Sequence, residues 1–261
     1  MSASTNESLP GGLCNRTLDT IVERNNMVEF GAPYLTLHSA MSPDPVGMVR
    51  VFGPGPETTG PVEKVVYVAL AVPAIGLDSH MVFAFTQGDS PVPHFTLDSV
   101  HGQGTYAFHL DLIQRAELAT HLTYLDWSHS PLSPTYDDVE TWEGLGGTTL
   151  GPRQFAMMSP WMLVHRADEA TFRKMDGPVG AYLDQWSALV AAEVPAEVLA
   201  DVADTDLAAR DQRNRANIFS PDVDPIWGQV AQLLNPETME VMRGQLLNNV
   251  MPTELPAQVN A

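Results

Sequence analysis

Apolar positions fall into two regimes along the chain. Over 34–115 they come as short runs rich in β-branched and aromatic residues, at 34–41, 48–52, 62–72, 80–87, 94–100 and 105–113, separated by Pro/Gly clusters such as 52–56. Strands joined by short turns, with no helices between them, predict an antiparallel meander. On either side the spacing is helical. Leu18, Ile21, Val22 and Met27 predict a helix over 15–30, ended by Gly31 and Pro33. Further on, Phe172, Met175, Val179, Tyr182, Leu183, Trp186, Leu189 and Val190 approximate an i, i+3, i+4 stripe, with Gly177-Pro178 as a break or restart. Pro195 opens another helix whose apolar face begins with Val198, Leu199 and Val202, and a last helix is predicted from Asp224 to about Leu247. Helix, then strands, then helices predicts an α+β fold with helices packed on an antiparallel sheet. No repeat or clear linker interrupts it, so one domain is expected over 13–250, with tails at 1–12 and 251–261.

The most informative stretch is 94–112, which reads as a tight hairpin. With Gly102-Gln103 as a two-residue loop, His94 falls opposite Asp111 and Thr96 opposite His109. One face then collects Phe95, Leu97, Tyr106, Phe108, Leu110 and Leu112, and the other His94, Thr96, Asp98, His109 and Asp111. A slip of one residue would mix the faces; a four-residue loop would preserve them, so facing is better determined than loop type. An imidazole and a carboxylate sharing one patch can supply a proton donor near neutral pH, the carboxylate raising the imidazole pKa and burial lowering it. The solvated side of a half-buried sheet shows the same pattern. Against that stands the strand at 62–72, apolar at nearly every position, which predicts a sheet covered on both faces and a polar patch enclosed in a pocket.

Composition narrows the chemistry. The 261 residues are 44% hydrophobic and 17% charged, outside the signature of disorder. Thirteen Lys and Arg against 32 Asp and Glu give a net charge of −19, which disfavours nucleic acid and anionic membrane surfaces as partners. The longest apolar runs fall well short of the roughly 20 residues of a membrane helix. The start of the sequence has no apolar signal core, so a cytoplasmic address is expected by default. A single cysteine, Cys14, excludes an intramolecular disulfide and a multi-cysteine metal site. No serine-hydrolase elbow, P-loop or dinucleotide fingerprint is present. His94, His109 and Asp111 are the one set with metal-ligand chemistry, but they lack HxxxH or HExxH spacing, and no metal is expected.

Two later features carry polar or aromatic chemistry. Met158-Ser159-Pro160-Trp161-Met162-Leu163 is an apolar segment suited to core packing, in which Trp161 beside a pocket could stack on a planar ligand. If the helix from Pro195 continues through 204–215, Asp206, Arg210 and Arg213 extend its inward face and Asp211 points elsewhere. That face would offer an acid for proton donation and guanidinium groups for carboxylates. Otherwise it is an ion-paired helix surface, or a positive spot for an acidic partner.

In order and spacing, the segments 91–100 and 109–112, the stretch 158–163 and the Asp/Arg-rich 204–219 resemble the ferredoxin-dependent bilin reductase and red chlorophyll catabolite reductase superfamily, over about 80–247. The resemblance implies a three-layer α/β/α sandwich with a central antiparallel sheet. It implies reduction of a linear tetrapyrrole such as a bilin or chlorophyll catabolite, with no tightly bound cofactor, single electrons from reduced ferredoxin, and protons from side chains. Asp111 and His94 are then expected as proton donors, and Asp206 or Asp211 as the acid that closes the pocket. Contacts to substrate are expected from His109, Thr96, Asp98, Trp161, Arg210 and Arg213. Two features depart from the pattern. The preceding strand, Met81-Val82-Phe83-Ala84-Phe85, carries no acid, and a charge of −19 opposes docking of an acidic ferredoxin unless the arginines share one face. The alternatives are a protein that binds a bilin or other planar ligand without reducing it, or a relative acting on a different substrate.

Overall fold

In the computed structural model, which describes residues 8–147 and 150–257, the chain is organised around one antiparallel sheet. β1 (Met27–Leu37), β2 (Gly47–Pro54), β3 (Val62–Val72), β4 (Leu77–Thr86), β5 (His94–Gly102) and β6 (Thr105–Ile113) form the meander, each pairing with its predecessor. β7 (Leu145–Gly146) and β8 (Leu163–Ala167) complete the order β1-β2-β3-β4-β5-β6-β8-β7. The helices are α1 (Leu9–Arg24), α2 (Leu122–Ser128), α3 (Ser133–Val139), α4 (Pro152–Phe155), α5 (Glu169–Phe172), α6 (Asp176–Ala191), α7 (Ala196–Asp201), α8 (Leu207–Ile218), α9 (Ile226–Leu233) and α10 (Pro236–Leu247). None of the described helices is long and apolar enough to cross a membrane.

Helices cover both faces, giving the α+β three-layer sandwich. On the first face Leu13, Leu18 and Ile21 of α1 and Tyr182 and Trp186 of α6 pack with Val65, Val82, Phe95, Leu97 and Leu110. On the second, Ile218 of α8, Trp227 and Val230 of α9, and Met239 and Met242 of α10 pack with Val66, Val68, Phe83, Phe85 and Ile113. Successive strand side chains point to opposite faces, so β3 sends Val65 and Tyr67 to one core and Val66 and Val68 to the other. Double coverage is why that strand is apolar from Val65 to Val72.

Several boundaries differ from those read in the pattern. The first helix starts at Leu9, because Ser8 caps it through the Gly11 N–H (3.1 Å) and Pro10 suits a first turn. It stops at Arg24, Asn26 turning left-handed (φ 48°), and Met27–Phe30 begins β1 instead of ending the helix. Leu9–Gly12 is therefore not a tail; residues 1–7 and 258–261 lie outside the described residues, and 251–257 contain neither helix nor strand. The last predicted helix is two, broken at Asn235, whose side chain accepts the Thr238 N–H at 2.8 Å and starts α10.

The hairpin keeps its facing but shifts its register by two residues. Gly102 pairs with Thr105, leaving Gln103-Gly104 as the loop, both left-handed (φ 51° and 76°) as a two-residue hairpin turn of this type needs. Thr96 is thereby opposite Asp111, Asp98 opposite His109 and His94 opposite Ile113. After α10 the chain crosses back over β3. Lys64 Nζ donates to Gln245 Oε1 and Val250 O, both at 3.0 Å, and Asn249 Nδ2 donates to Glu63 Oε2 (2.7 Å) and Thr86 O (2.9 Å).

Candidate functional site

The polar residues of β5 and β6 are enclosed under the second helical layer. Thr96 and Asp111 are fully buried and His94 is 1% exposed, so this is not the solvated side of a half-covered sheet. It is a polar strip inside an apolar core, and burial at that depth requires each group to find a partner.

His94 finds two. The Thr86 backbone N–H donates to its Nδ1 at 3.0 Å. A backbone N–H can only donate, so Nδ1 is the lone-pair nitrogen and Nε2 carries the proton. That proton is directed at Asp211 Oδ1, 2.6 Å away. Burial, then the neighbouring Arg115 charge, lowers the His94 pKa to about 3, outweighing the Asp211 hydrogen bond. The imidazole is neutral at physiological pH, which corrects the expectation of a histidine poised near neutrality. Burial alone would raise the Asp211 pKa, but the His94 hydrogen bond and the charges of Arg115 and Arg215 hold it at about 2. Asp211 is thus an anion accepting from a neutral histidine.

Two buried arginines flank that anion. Arg115, just beyond β6, donates through Nη1 to Thr86 Oγ1 (2.6 Å) and through Nη2 to Gly88 O (2.8 Å), with Nε 3.7 Å from Asp211. Arg215, one turn after Asp211 on α8, places Nη1 3.7 Å from Asp211 and lies 3.7 Å over the Phe85 ring. Its Nε donates to Leu246 O at 2.8 Å and Nη1 to Asn249 Oδ1 at 2.5 Å. Arg115 and Arg215 were not among the expected site residues. Arg215 lies within the Asp/Arg-rich stretch 204–219; only the three-dimensional packing distinguishes Arg115 from a surface residue.

Asp111 sits apart from this cluster. Its carboxylate accepts the Ser159 N–H at 2.9 Å and the Ser159 hydroxyl at 2.5 Å. Burial raises its pKa, overriding the lowering from His109 and from those hydrogen bonds. Further along the same face, His109 Nδ1 lies 3.4 Å from Asp98 Oδ2, at the partly exposed end of the strip. Asp224, in the turn before α9, adds a third carboxyl electrostatically coupled to this pair, its pKa raised by burial and then by the charge of Asp98. Among the described residues, four buried atoms along this strip have no hydrogen-bond partner: Thr96 Oγ1, Asp98 Oδ1, His109 Nε2 and Gln114 Oε1. Leaving such a group unpaired costs roughly 1–3 kcal/mol, and a bound polar molecule would relieve that penalty. His94, His109 and Asp111 do not converge: each turns to its own partner, and no described group of three His, Cys, Asp or Glu side chains has metal-binding geometry.

The remaining expected residues divide. The helix from Pro195 ends at Asp201, and Asp206 caps a new one by accepting the Ala209 N–H at 2.9 Å. This restart resets the helical phase, so Asp211 and Arg215 point inward, while Asp206 and Arg213 are exposed. Asp206 is a surface cap and does not close the pocket; Arg213 is not on the inward face. Arg210 is half-buried and donates to Gln114 O at 2.6 Å, beside the strip. Trp161 packs against the first-face core and its indole N–H is bound to Ser133 Oγ at 2.9 Å. It therefore stabilises the opposite layer and does not face the strip. A recess of about 830 Å³ opens elsewhere, between 24–26, 57–61 and 187–193, and holds none of these groups.

No family model matches this sequence, and no curated protein matches it by sequence. Among solved structures, it is similar to phytochromobilin synthase from tomato in complex with biliverdin. The TM-score is 0.66 at 13% identity, covering 93% of this chain and 85% of that one. The likeness establishes a shared fold.

Proposed function

We propose that this chain binds a linear tetrapyrrole along the strip formed by β5 and β6 and reduces it with single electrons from an external ferredoxin, using no tightly bound cofactor. The observation that carries the reading is the row of unpartnered buried polar atoms around Asp111 on an otherwise apolar sheet face, in a fold shared with a biliverdin-bound protein. A bilin offers what such a row lacks: pyrrole N–H donors and lactam carbonyl acceptors on a flat apolar body.

Within this reading Asp111 is the proton donor. Burial favours its protonated form, and proton transfer to the ligand follows when an arriving electron makes the ligand more basic. His94 has a different part from the one its position suggests. Its single proton is committed to Asp211, and Asp211 is held ionised by Arg115 and Arg215, so neither is a ready acid. The pair fixes a dipole and a charge beside the ligand. Arg210, at the edge of the strip, is suited to a propionate carboxylate, and the exposed Arg213 on the same helix to an acidic electron donor.

An anaerobic absorbance titration with biliverdin, followed by reduced ferredoxin, tests this. A shifted complex that bleaches or moves to the blue on reduction is expected. A complex that ignores reduced ferredoxin would make the protein a carrier, and no complex at all would remove the tetrapyrrole.

A further inference from the structure

We propose that His109 is the proton entry of this site, reloading Asp111 from solvent, with Asp98 and Asp224 holding its charge. The inference rests on the reductase reading above and specifies how its protons arrive.

The need for such a group follows from stoichiometry. Reducing one double bond adds two electrons, delivered singly by the external iron–sulfur donor, and two protons. Asp111 carries one proton at a time and is fully buried, so it must be reloaded between the two electron transfers. Neither Ser159 nor His94 serves. Ser159 is engaged through both its N–H and its hydroxyl. His94 donates its one proton to Asp211, and its other nitrogen accepts a backbone N–H.

His109 has what is required. It lies two residues from Asp111 on the same strand, which places both side chains on one face. Its side chain is 15% exposed and that of its partner Asp98 is 30% exposed, so the pair reaches solvent, and His109 is electrostatically coupled to the buried Asp111 carboxyl. Nδ1 faces Asp98, and Nε2 is buried with no partner, free to pass a proton onward. Burial alone would make this imidazole less basic. The hydrogen bond and charge of Asp98, then the charges of Asp111 and Asp224, more than compensate and raise its pKa. From the other adjacent strand, β8, the facing residue is Val164, and the exposed Arg166 lies on the same face one pair further along. The cycle balances: Asp111 gives its proton to the one-electron-reduced ligand, the His109 imidazolium gives its Nε2 proton to the Asp111 carboxylate while keeping the Nδ1 proton that faces Asp98, and the neutral ring then recovers a proton from solvent at Nε2.

The experiment is rapid mixing of the biliverdin complex with excess reduced ferredoxin, in wild type, His109→Gln and His109→Ala. In His109→Gln the first protonation is expected at the wild-type rate, after which an organic radical signal accumulates and overall turnover falls about tenfold or more. Added imidazole should restore His109→Ala and leave His109→Gln unchanged. Wild-type turnover in His109→Gln, without a persistent radical, overturns the relay while leaving the reductase reading intact; so does a first protonation slowed as much as the second. Failure of wild type to bind or reduce biliverdin overturns the underlying reading and the relay with it. A proton-carbon correlation titration of the free protein is an independent arm: a His109 ring that does not titrate above the ordinary imidazole range overturns the proposal.

Discussion

Lowering the pH from 6.5 to 4.5 is expected to remove about 5 kcal/mol of stability, most of it through two histidines. His94 and His129 are 1% and 0% exposed, and burial lowers their pKa values to about 3 and about 4. Unfolded, each takes up a proton near pH 6.5; folded, neither does in this window. Their contribution is therefore complete above pH 6.5 and is lost as the pH falls toward the folded values. Each proton changes stability by about 1.4 kcal/mol per pH unit, so the pair gives a slope of about 3 kcal/mol per unit. Asp211, held at about 2, adds to the loss only at lower pH. His109 and His121 have raised pKa values, so their contributions are full below pH 6.5 and are lost as pH rises through the folded values. A domain with the usual 5–15 kcal/mol would be close to unfolding at pH 4.5. Urea unfolding followed by tryptophan fluorescence at closely spaced pH values measures the slope directly. His94→Gln and His129→Gln should each halve it, whatever either substitution does to stability at pH 7. A His94→Gln protein with the wild-type slope would refute the reasoning, because it would mean that His94 already takes up its proton in the folded state.

Three other outcomes follow from the same geometry. Asp111→Asn should retain the biliverdin absorbance shift while slowing turnover about 100-fold or more, read by steady-state reduction. Asp211→Ala leaves Arg115, Arg215 and the His94 proton without their shared anion and should cost about 3–5 kcal/mol, whereas Asp206→Ala removes only a helix cap worth about 1 kcal/mol. Thermal melts of the two variants separate these; equal losses would show that Asp211 is not the buried counter-ion. Gly104→Ala meets no atom within 4 Å but must hold φ near 76°, so it should cost about 1–2 kcal/mol from the backbone alone and leave ligand binding unchanged.

Much of the site was legible because β-structure writes its facing into the sequence with period two. The alternation from His94 to Leu112 separates the polar and apolar faces whichever loop joins the strands, and a register error of two residues is invisible to it. In the sequence Gly102 looks like the first residue of the turn, whereas the left-handed positions are Gln103 and Gly104. Helical phase was less forgiving. One continuous helix from Pro195 sends Asp211 outward; Asp206 carries a capping signal as well as an acid, and the cap restarts the count. Arg115 and Trp161 show the other limit. A buried arginine and a tryptophan that could pack on either layer are defined by what packs on them from distant segments, and no local pattern encodes that.

The crossing of residues 245–250 over β3 makes the site a late product of the polypeptide's own synthesis. The meander can zip up in the order it emerges, since every strand through β6 pairs with the one before it and the loops to be closed are short. The charged cluster behind His94 cannot follow at that pace. Lys64, Thr86 O and Arg215 take their partners from Gln245, Leu246, Asn249 and Val250. A nascent chain that has emerged only through α9 holds a complete six-stranded meander with two cations and a carbonyl still seeking partners. Final placement of Arg215 beside Asp211 is thus coupled to delivery of the last helix and the segment after it, and an intermediate stalled there would carry the meander with Arg215 not yet held by Leu246 O and Asn249.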